Sequence, residues 1–191
     1  MKIIEGKNKE NKNTLKFYEY YENKEEFAIV MELCDANLLN VLSNRTEVFK
    51  PEEIFNILCQ LNNSFEIMVN NKLVHRALKL ENILIKYENK EKTKYIIKLK
   101  FTNESCYLQD LSRGNSLNIV ISNMKILAPE ILSQDKYNEK CDLWSLGIIL
   151  YVLSFKEYPY NGETGIDILN KIKNSGQSDL KKKLKVKNWI I

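Results

Sequence analysis

The sequence predicts an α+β protein, mainly α, on three observations. Two short runs of aromatic and β-branched residues flank a polar turn near the start. A proline-opened amphipathic stretch of about twenty residues follows. Later apolar stretches, around Cys141 and Ile166, keep a helical period. The length, 191 residues, suggests one domain. A chain this long buries roughly 70% of its unfolded surface. With 44% hydrophobic and 28% charged residues, and only 6 Gly and 3 Pro, it is neither collagen-like nor extensively disordered.

Leu15 to Tyr21 and Phe27 to Leu33 read as two strands, and Glu22-Asn23-Lys24-Glu25 as the turn between them, which makes a hairpin. Asp35 is then expected to cap a short helix, Ala36 to Ser43. Lys50-Pro51-Glu52-Glu53 opens the long helix, because proline and acids suit the free N–H groups and the positive end of the dipole. Ile54, Ile57, Leu58, Leu61, Phe65 and Met68 give it one apolar face, and it is expected to end near Asn70-Asn71. Ile83 to Tyr87 and Tyr95 to Phe101 read as strands around a charged turn, Glu88 to Lys94. Residues 103–124 show no period and read as a long loop, a kind that is usually functional or disordered. Helices resume near Cys141 and at Ile166 to Lys173, and Ser178 to Ile191 is weakly helical in pattern.

Charge excludes little. The formal net charge is +4, concentrated at Lys181, Lys182, Lys183, Lys185 and Lys187. That run reads as a solvated helix face, and no other feature points to nucleic acid. Cys34, Cys59, Cys106 and Cys141 form no CxxC pair, which argues against a zinc site. The N-terminus has no apolar run of the secretory kind. The expectation is therefore reduced thiols in the cytoplasm or nucleus. Leu143 to Phe155 is too short to span a bilayer, which takes about 20 residues, and reads as a buried core helix.

The segment Leu73 to Ile85, LVHRALKLENILI, resembles the catalytic loop of eukaryotic protein kinases, His-Arg-Asp-Leu-Lys-Pro-Glu-Asn. His75, Arg76, Leu78, Lys79, Glu81 and Asn82 match. Ala77 stands in place of the catalytic Asp, and Leu80 in place of the common Pro. LAPEIL, Leu127 to Leu132, is similar to the Ala-Pro-Glu that closes the activation segment. CDLWSLGIILYVL, Cys141 to Leu153, is similar to the central helix of the kinase C-lobe, with Asp142 as its helix-opening acid and Trp144 in the same motif. FAIVMELCD, Phe27 to Asp35, resembles the last N-lobe strand and hinge. The resemblance runs from Lys16 to about Lys173, and its general look is nearest to calcium/calmodulin-type Ser/Thr kinases.

The resemblance implies a protein-kinase-like C-terminal lobe with a remnant N-lobe hairpin and hinge. Residues 1–33 would be a partial N-lobe, comprising the end of its helix, two strands and the start of the hinge. Residues 34–191 would be the C-lobe, incomplete at its C-terminus. A Gly-rich phosphate loop and a strand with a phosphate-binding Lys are expected to be absent. By the same resemblance Met31 would be the gatekeeper, Glu32 to Cys34 the adenine-binding hinge, Lys79 the lysine that contacts the γ-phosphate and Asn82 a ligand to the second Mg²⁺. Asp142 would accept backbone N–H bonds from the loop. Arg76 would be a grip for a phosphate on Ser105, Ser112 or Ser116, and His75 a packing residue beneath the loop. Glu130 would pair with a late Arg, but no Arg follows Arg113.

Two departures decide the expected chemistry. In kinases the loop Asp orients the substrate hydroxyl and takes its proton, a contribution of roughly 10²–10⁴-fold in such transfers, and a methyl at Ala77 does neither. After the strand Ile97-Lys98-Leu99-Lys100, Phe101-Thr102-Asn103 occupies the place of Asp-Phe-Gly. Phe101 offers no oxygen to Mg²⁺, which takes hard oxygen ligands. A rival alignment puts Asp110-Leu111-Ser112 there, but no clean strand precedes it and Ala128 follows too soon. The expectation is a catalytically defective, pseudokinase-like module that binds a protein, such as an active kinase or its substrate. No cofactor would be required; any ATP would bind weakly, and Mg²⁺ is doubtful. The alternatives are an atypical or weak ATP-dependent Ser/Thr kinase, with Asn103, Glu104 or Asp110 doing the metal work, and a truncated kinase without function.

Overall fold

A computed structural model describes residues 11–23, 26–101, 123–133, 135 and 137–175. The expected Lys-rich run, the rival Asp110, the candidate ligands Asn103 and Glu104, the serines at 105, 112 and 116 and the C-terminal helix all lie outside the described residues, as does the first decapeptide. The chain forms two compact units. The first comprises Met1–Thr46, Phe55–His75 and Leu80–Thr102; the second comprises Glu47–Ile54, Arg76–Lys79 and Asn103–Ile191.

In the first unit, β1 (Phe17–Glu22) and β2 (Phe27–Met31) pair antiparallel, with an irregularity between Phe17 and Glu19. This is the predicted hairpin. Asn23 closes its turn, its side-chain oxygen accepting the Glu26 N–H at 2.7 Å. A second sheet runs β3 (Ala36–Asn37), β4 (Ile83–Tyr87), β5 (Tyr95–Leu99), all antiparallel neighbours. Ile83, Ile85, Ile97 and Leu99 are buried along it, with Leu38, Ile57 and Leu61 from the helices of the unit.

The short helix α1 is Leu38–Asn44, and its cap differs from expectation. Ala36 and Asn37 pair with Ile85 and Leu84 as a strand, so the helix starts two residues later than predicted. Asn37 caps it, accepting the Asn40 N–H at 2.8 Å. Asp35 instead fastens the sheet, accepting the Tyr87 N–H at 2.8 Å. The long helix α2 is Pro51–Asn70, as predicted. Glu53 folds back to accept the Lys50 N–H at 2.7 Å, which satisfies one of the free donors at its start. It ends on Lys72, whose φ of 54° reverses the chain, with Leu73 N–H bonded to Met68 C=O.

One feature of this unit was not foreseen. Asn13 is 1% exposed, and every polar atom of its amide is used. Its Nδ2 donates to Gln60 Oε1 at 3.1 Å and to Ile97 C=O at 2.8 Å, and its Oδ1 accepts from Asn63 Nδ2 at 2.8 Å. Its backbone carbonyl accepts from Leu99 N–H and from Ser64 Oγ. Residues 13–15 thereby run alongside β5, with Thr14 bridging Leu99 in parallel.

In the second unit the short helix α3 (Pro129–Leu132) opens on a proline, with Ala128 before it in extended conformation. Helix α4 (Lys140–Phe155) is the predicted core helix, with Ile148, Ile149, Val152 and Leu153 buried. It stops at Lys156, which takes a left-handed conformation and returns its N–H to Val152 C=O. Helix α5 (Gly165–Asn174) opens on a capping box between Thr164 and Asp167. The turn that precedes α3 is tied to α4 by Ser145 Oγ, which donates to Ile126 C=O at 3.0 Å.

Candidate functional site

The segment after β2 carries the predicted hinge. Met31 ends β2 opposite Phe17. Glu32 is buried, and both its carboxylate oxygens are engaged. Oε1 accepts from Lys86 Nζ at 2.7 Å, and Oε2 accepts from Lys98 Nζ at 2.8 Å. Burial would push its carboxyl up, but the hydrogen bonds from Lys86 and Lys98 and the Lys98 charge outweigh burial and hold it below the ordinary value. Two backbone bonds flank the segment: Glu32 N–H to Lys16 C=O at 2.8 Å, and Asp35 N–H to Ile85 C=O at 3.0 Å. Between them, the Glu32 C=O and the Cys34 N–H make no hydrogen bond within the described residues. Cys34 is half-buried, and burial together with the Glu32 charge raises its thiol pKa.

His75, Asn82 and Phe101 belong to the same unit. His75 is buried, its Nε2 lies 3.0 Å from Lys100 C=O, and its ring sits 5.3 Å from that of Phe101 at a tilt of 41°. Asn82 is buried at the end of the 3₁₀ turn Leu80–Asn82, and its carbonyl accepts the Lys100 N–H at 2.9 Å. The strand predicted to reach Phe101 ends at Leu99. Phe101 therefore lies beyond the ladder, packed on the histidine ring.

The rest of the loop belongs to the second unit. Arg76 has φ 63°, an uncommon left-handed conformation for a side chain with a Cβ. The conformation is fixed by Asp142: its Oδ1 accepts the Arg76 N–H at 2.9 Å, and Asp142 is 4% exposed in the first turn of α4. The Arg76 guanidinium lies over the Tyr137 ring, 5.5 Å from its centroid. Ala77 and Leu78 are buried and Lys79 is half-buried. Trp144 stacks on Tyr160 with centroids 6.0 Å apart. Glu130 sits in the first turn of α3, and among the described residues it has no ion pair.

The bond predicted between Asp142 and the loop backbone is thus present. Sequence reading missed the carboxylate–ammonium cluster on Glu32. The pattern Ile97-Lys98-Leu99 marks a strand, but nothing in it names a partner so far back in the chain.

A sequence profile of the protein kinase domain matches residues 2–190. The chain belongs to the protein kinase family. Among similar relatives of this kinase domain, calcium-dependent protein kinase 5 of Plasmodium berghei (strain Anka) is 32% identical over 171 residues, which are 90% of this chain and 29% of the relative. Calcium-dependent protein kinase 5 of Plasmodium falciparum (isolate 3D7) is 31% identical over 170 residues, 89% of this chain and 29% of the relative. Calcium-dependent protein kinase 6 of Plasmodium berghei is 32% identical over 165 residues, 85% of this chain and 10% of the relative. The chain spans less than a third of the length of these curated relatives. The kinase domain is a mixed α+β fold of the Ser/Thr type. Among the described residues, no helix is long and apolar enough to cross a membrane.

Membership in this family implies a nucleotide with Mg²⁺. Among the described residues, the donor set does not fit the metal. Of the two positions that the sequence resemblance assigns to metal ligands, one is the amide Asn82 and the other is Phe101, a hydrocarbon ring turned onto His75. Mg²⁺ takes near-octahedral oxygen ligands, usually with a carboxylate among them.

Proposed function

We propose that this kinase domain transfers no phosphate and acts as a protein-interaction or regulatory module. The observation that carries the reading is Ala77. It is 5% exposed, in a loop whose backbone is clamped by Asp142 at the preceding residue, Arg76. The loop is kept in shape while the group that would take the proton is a methyl. Loss of such a group removes roughly 10²–10⁴-fold of rate, and the poor fit to Mg²⁺ removes the charge that stabilises the moving phosphoryl group.

Adenine recognition rests on backbone groups, and the Glu32 C=O and Cys34 N–H, without a hydrogen-bond partner among the described residues, support weak binding through the base. On this reading the phosphates find little, and binding is insensitive to Mg²⁺. Residues 1–33 serve as a partial N-lobe and 34–191 as the C-lobe. The partner is a protein, an active kinase or a kinase substrate.

Two measurements test the reading. Incubation with radiolabelled ATP, Mg²⁺ and a generic Ser/Thr substrate is expected to give no incorporation; incorporation that vanishes in Lys79→Ala overturns it. Thermal-shift titration with ATP is expected to give a small shift, equal with and without Mg²⁺. A large shift that requires the metal favours an atypical kinase with relocated acids.

A further inference from the structure

Lys98 is a charged side chain almost wholly withdrawn from water: 4% of it is exposed, against 6% for the Glu32 side chain it meets. Its neighbours in β5, Ile97 and Leu99, are buried on the other face, so this strand has no solvent face at that point. The ammonium does not merely neutralise Glu32. It also donates to Lys12 C=O at 2.9 Å. Glu32 in turn receives Lys86 from β4 and, at 3.4 Å, the Lys16 N–H. Four pieces of chain therefore converge on one carboxylate–ammonium contact: residues 12–16, the segment after β2, β4 and β5.

A buried pair of this kind is a poor source of net stability, since desolvation of both ions offsets their attraction. What it supplies is a single geometry, because a half-made pair leaves a buried charge without a partner. We infer that Glu32 and Lys98 form a latch that fixes residues 32–35 against β5 and the 12–16 segment, and that Lys98 is a positioning residue for that stretch. Leu33 is 89% exposed, so among the described residues its side chain gives the stretch little packing. Its two backbone anchors, Glu32 N–H and Asp35 N–H, are the bonds the latch protects. This inference stands apart from the proposed function and does not require nucleotide to bind.

Hydrogen exchange of the intact chain tests it, because local opening is read separately from global unfolding. In a Glu32→Met, Lys98→Met double variant the apolar pair retains the volume and the fold. Protection of the Glu32→Met and Asp35 amides is expected to fall by at least about tenfold, while the β4–β5 ladder amides keep theirs. Unchanged protection at those two amides, or an equal loss at all slow amides, overturns the latch. Should the double variant not fold, Glu32→Gln keeps shape and removes only the charge. It is expected to show the same localised loss, smaller in size, and no localised loss there also overturns the inference. Lys86→Gln, at the exposed side of the same carboxylate, is expected to leave both amides within about twofold of wild type. A loss as large as that in the buried variant would move the latch from Lys98 to the surface and overturn the assignment.

Discussion

Glu32 and Asp142 are buried acids with hydrogen-bonded carboxylates, whereas Ala77 and Phe101 are hydrocarbons at positions that the sequence resemblance assigns to acids. The first pair sits in separate units, and each acid fixes a stretch of chain by a different contact. Glu32 gathers two ammonium groups around the segment after β2. Asp142 pins an Arg76 backbone that would otherwise avoid its left-handed conformation. The second pair is also packed, Ala77 at 5% exposure and Phe101 on the His75 ring. The contrast separates two uses of a carboxylate. Glu32 and Asp142 each fix a stretch of chain; at the positions that the sequence resemblance assigns to proton and metal handling, a space-filling hydrocarbon stands instead. On the proposed reading, the residues that shape this loop and the residues that would do its chemistry are different ones.

Substitutions on each side sharpen this contrast. The largest loss is expected from Lys98→Met, which strands Glu32 in a buried place with Lys86 as its remaining cation. A cost of about 3 kcal/mol, at the low end for breaking a buried pair, would appear as a lower urea midpoint. Asp142→Ala is expected to cost about 1–2 kcal/mol, since it leaves the part-buried Arg76 N–H without its charged acceptor, while Asp142→Asn keeps part of that bond. Equal stability of Asp142→Ala and wild type would erase the distinction between retained and replaced acids.

Acid provides a gentler probe of the same group. The Glu32 carboxyl is held below its ordinary value in the folded chain. Its contribution is therefore complete above the unfolded carboxylate pKa, about 4.3, and is lost as pH falls through the lower folded value. Urea midpoints measured down that range are expected to fall less steeply in Glu32→Gln than in wild type. The protonated carboxyl still fills the site, so the loss is smaller than for either substitution above. The smallest effect is expected from Arg76→Gly. Release of the left-handed strain is worth about 1 kcal/mol, and loss of the Tyr137 contact offsets it by about 0.5–1 kcal/mol. Stability within about 0.5 kcal/mol of wild type fits a purely backbone role for that residue in folding.

Much of this architecture was legible in the sequence because it follows from local pattern. The hairpin, the proline-opened helix and strand β4 announce themselves by residue pattern and by Pro and Asn placement. The bond from Asp142 to the loop was legible through motif resemblance. Three things were not. The two-residue strand Ala36–Asn37 is too short to have a period, and it moved the cap from Asp35 to Asn37. Asn13 lies in a polar stretch that looks solvent-bound, and only its distant partners Gln60, Asn63 and Ile97 reveal it as core. Lys98 alternates with apolar neighbours as any half-exposed strand residue would, so its burial depends on a pairing that no local pattern encodes.

Cys141 gives the molecule an internal clock. Burial, with the charges of Asp142 and Glu130 nearby, pushes its thiol up to about 11, so at neutral pH almost none of it is the nucleophilic thiolate. Cys59 is exposed on α2. An alkylating reagent should therefore tag Cys59 promptly and reach Cys141 only during excursions that lift the start of α4 off its surroundings. The ratio of the two modifications, read by mass spectrometry, then counts how often that helix opens without any engineered label.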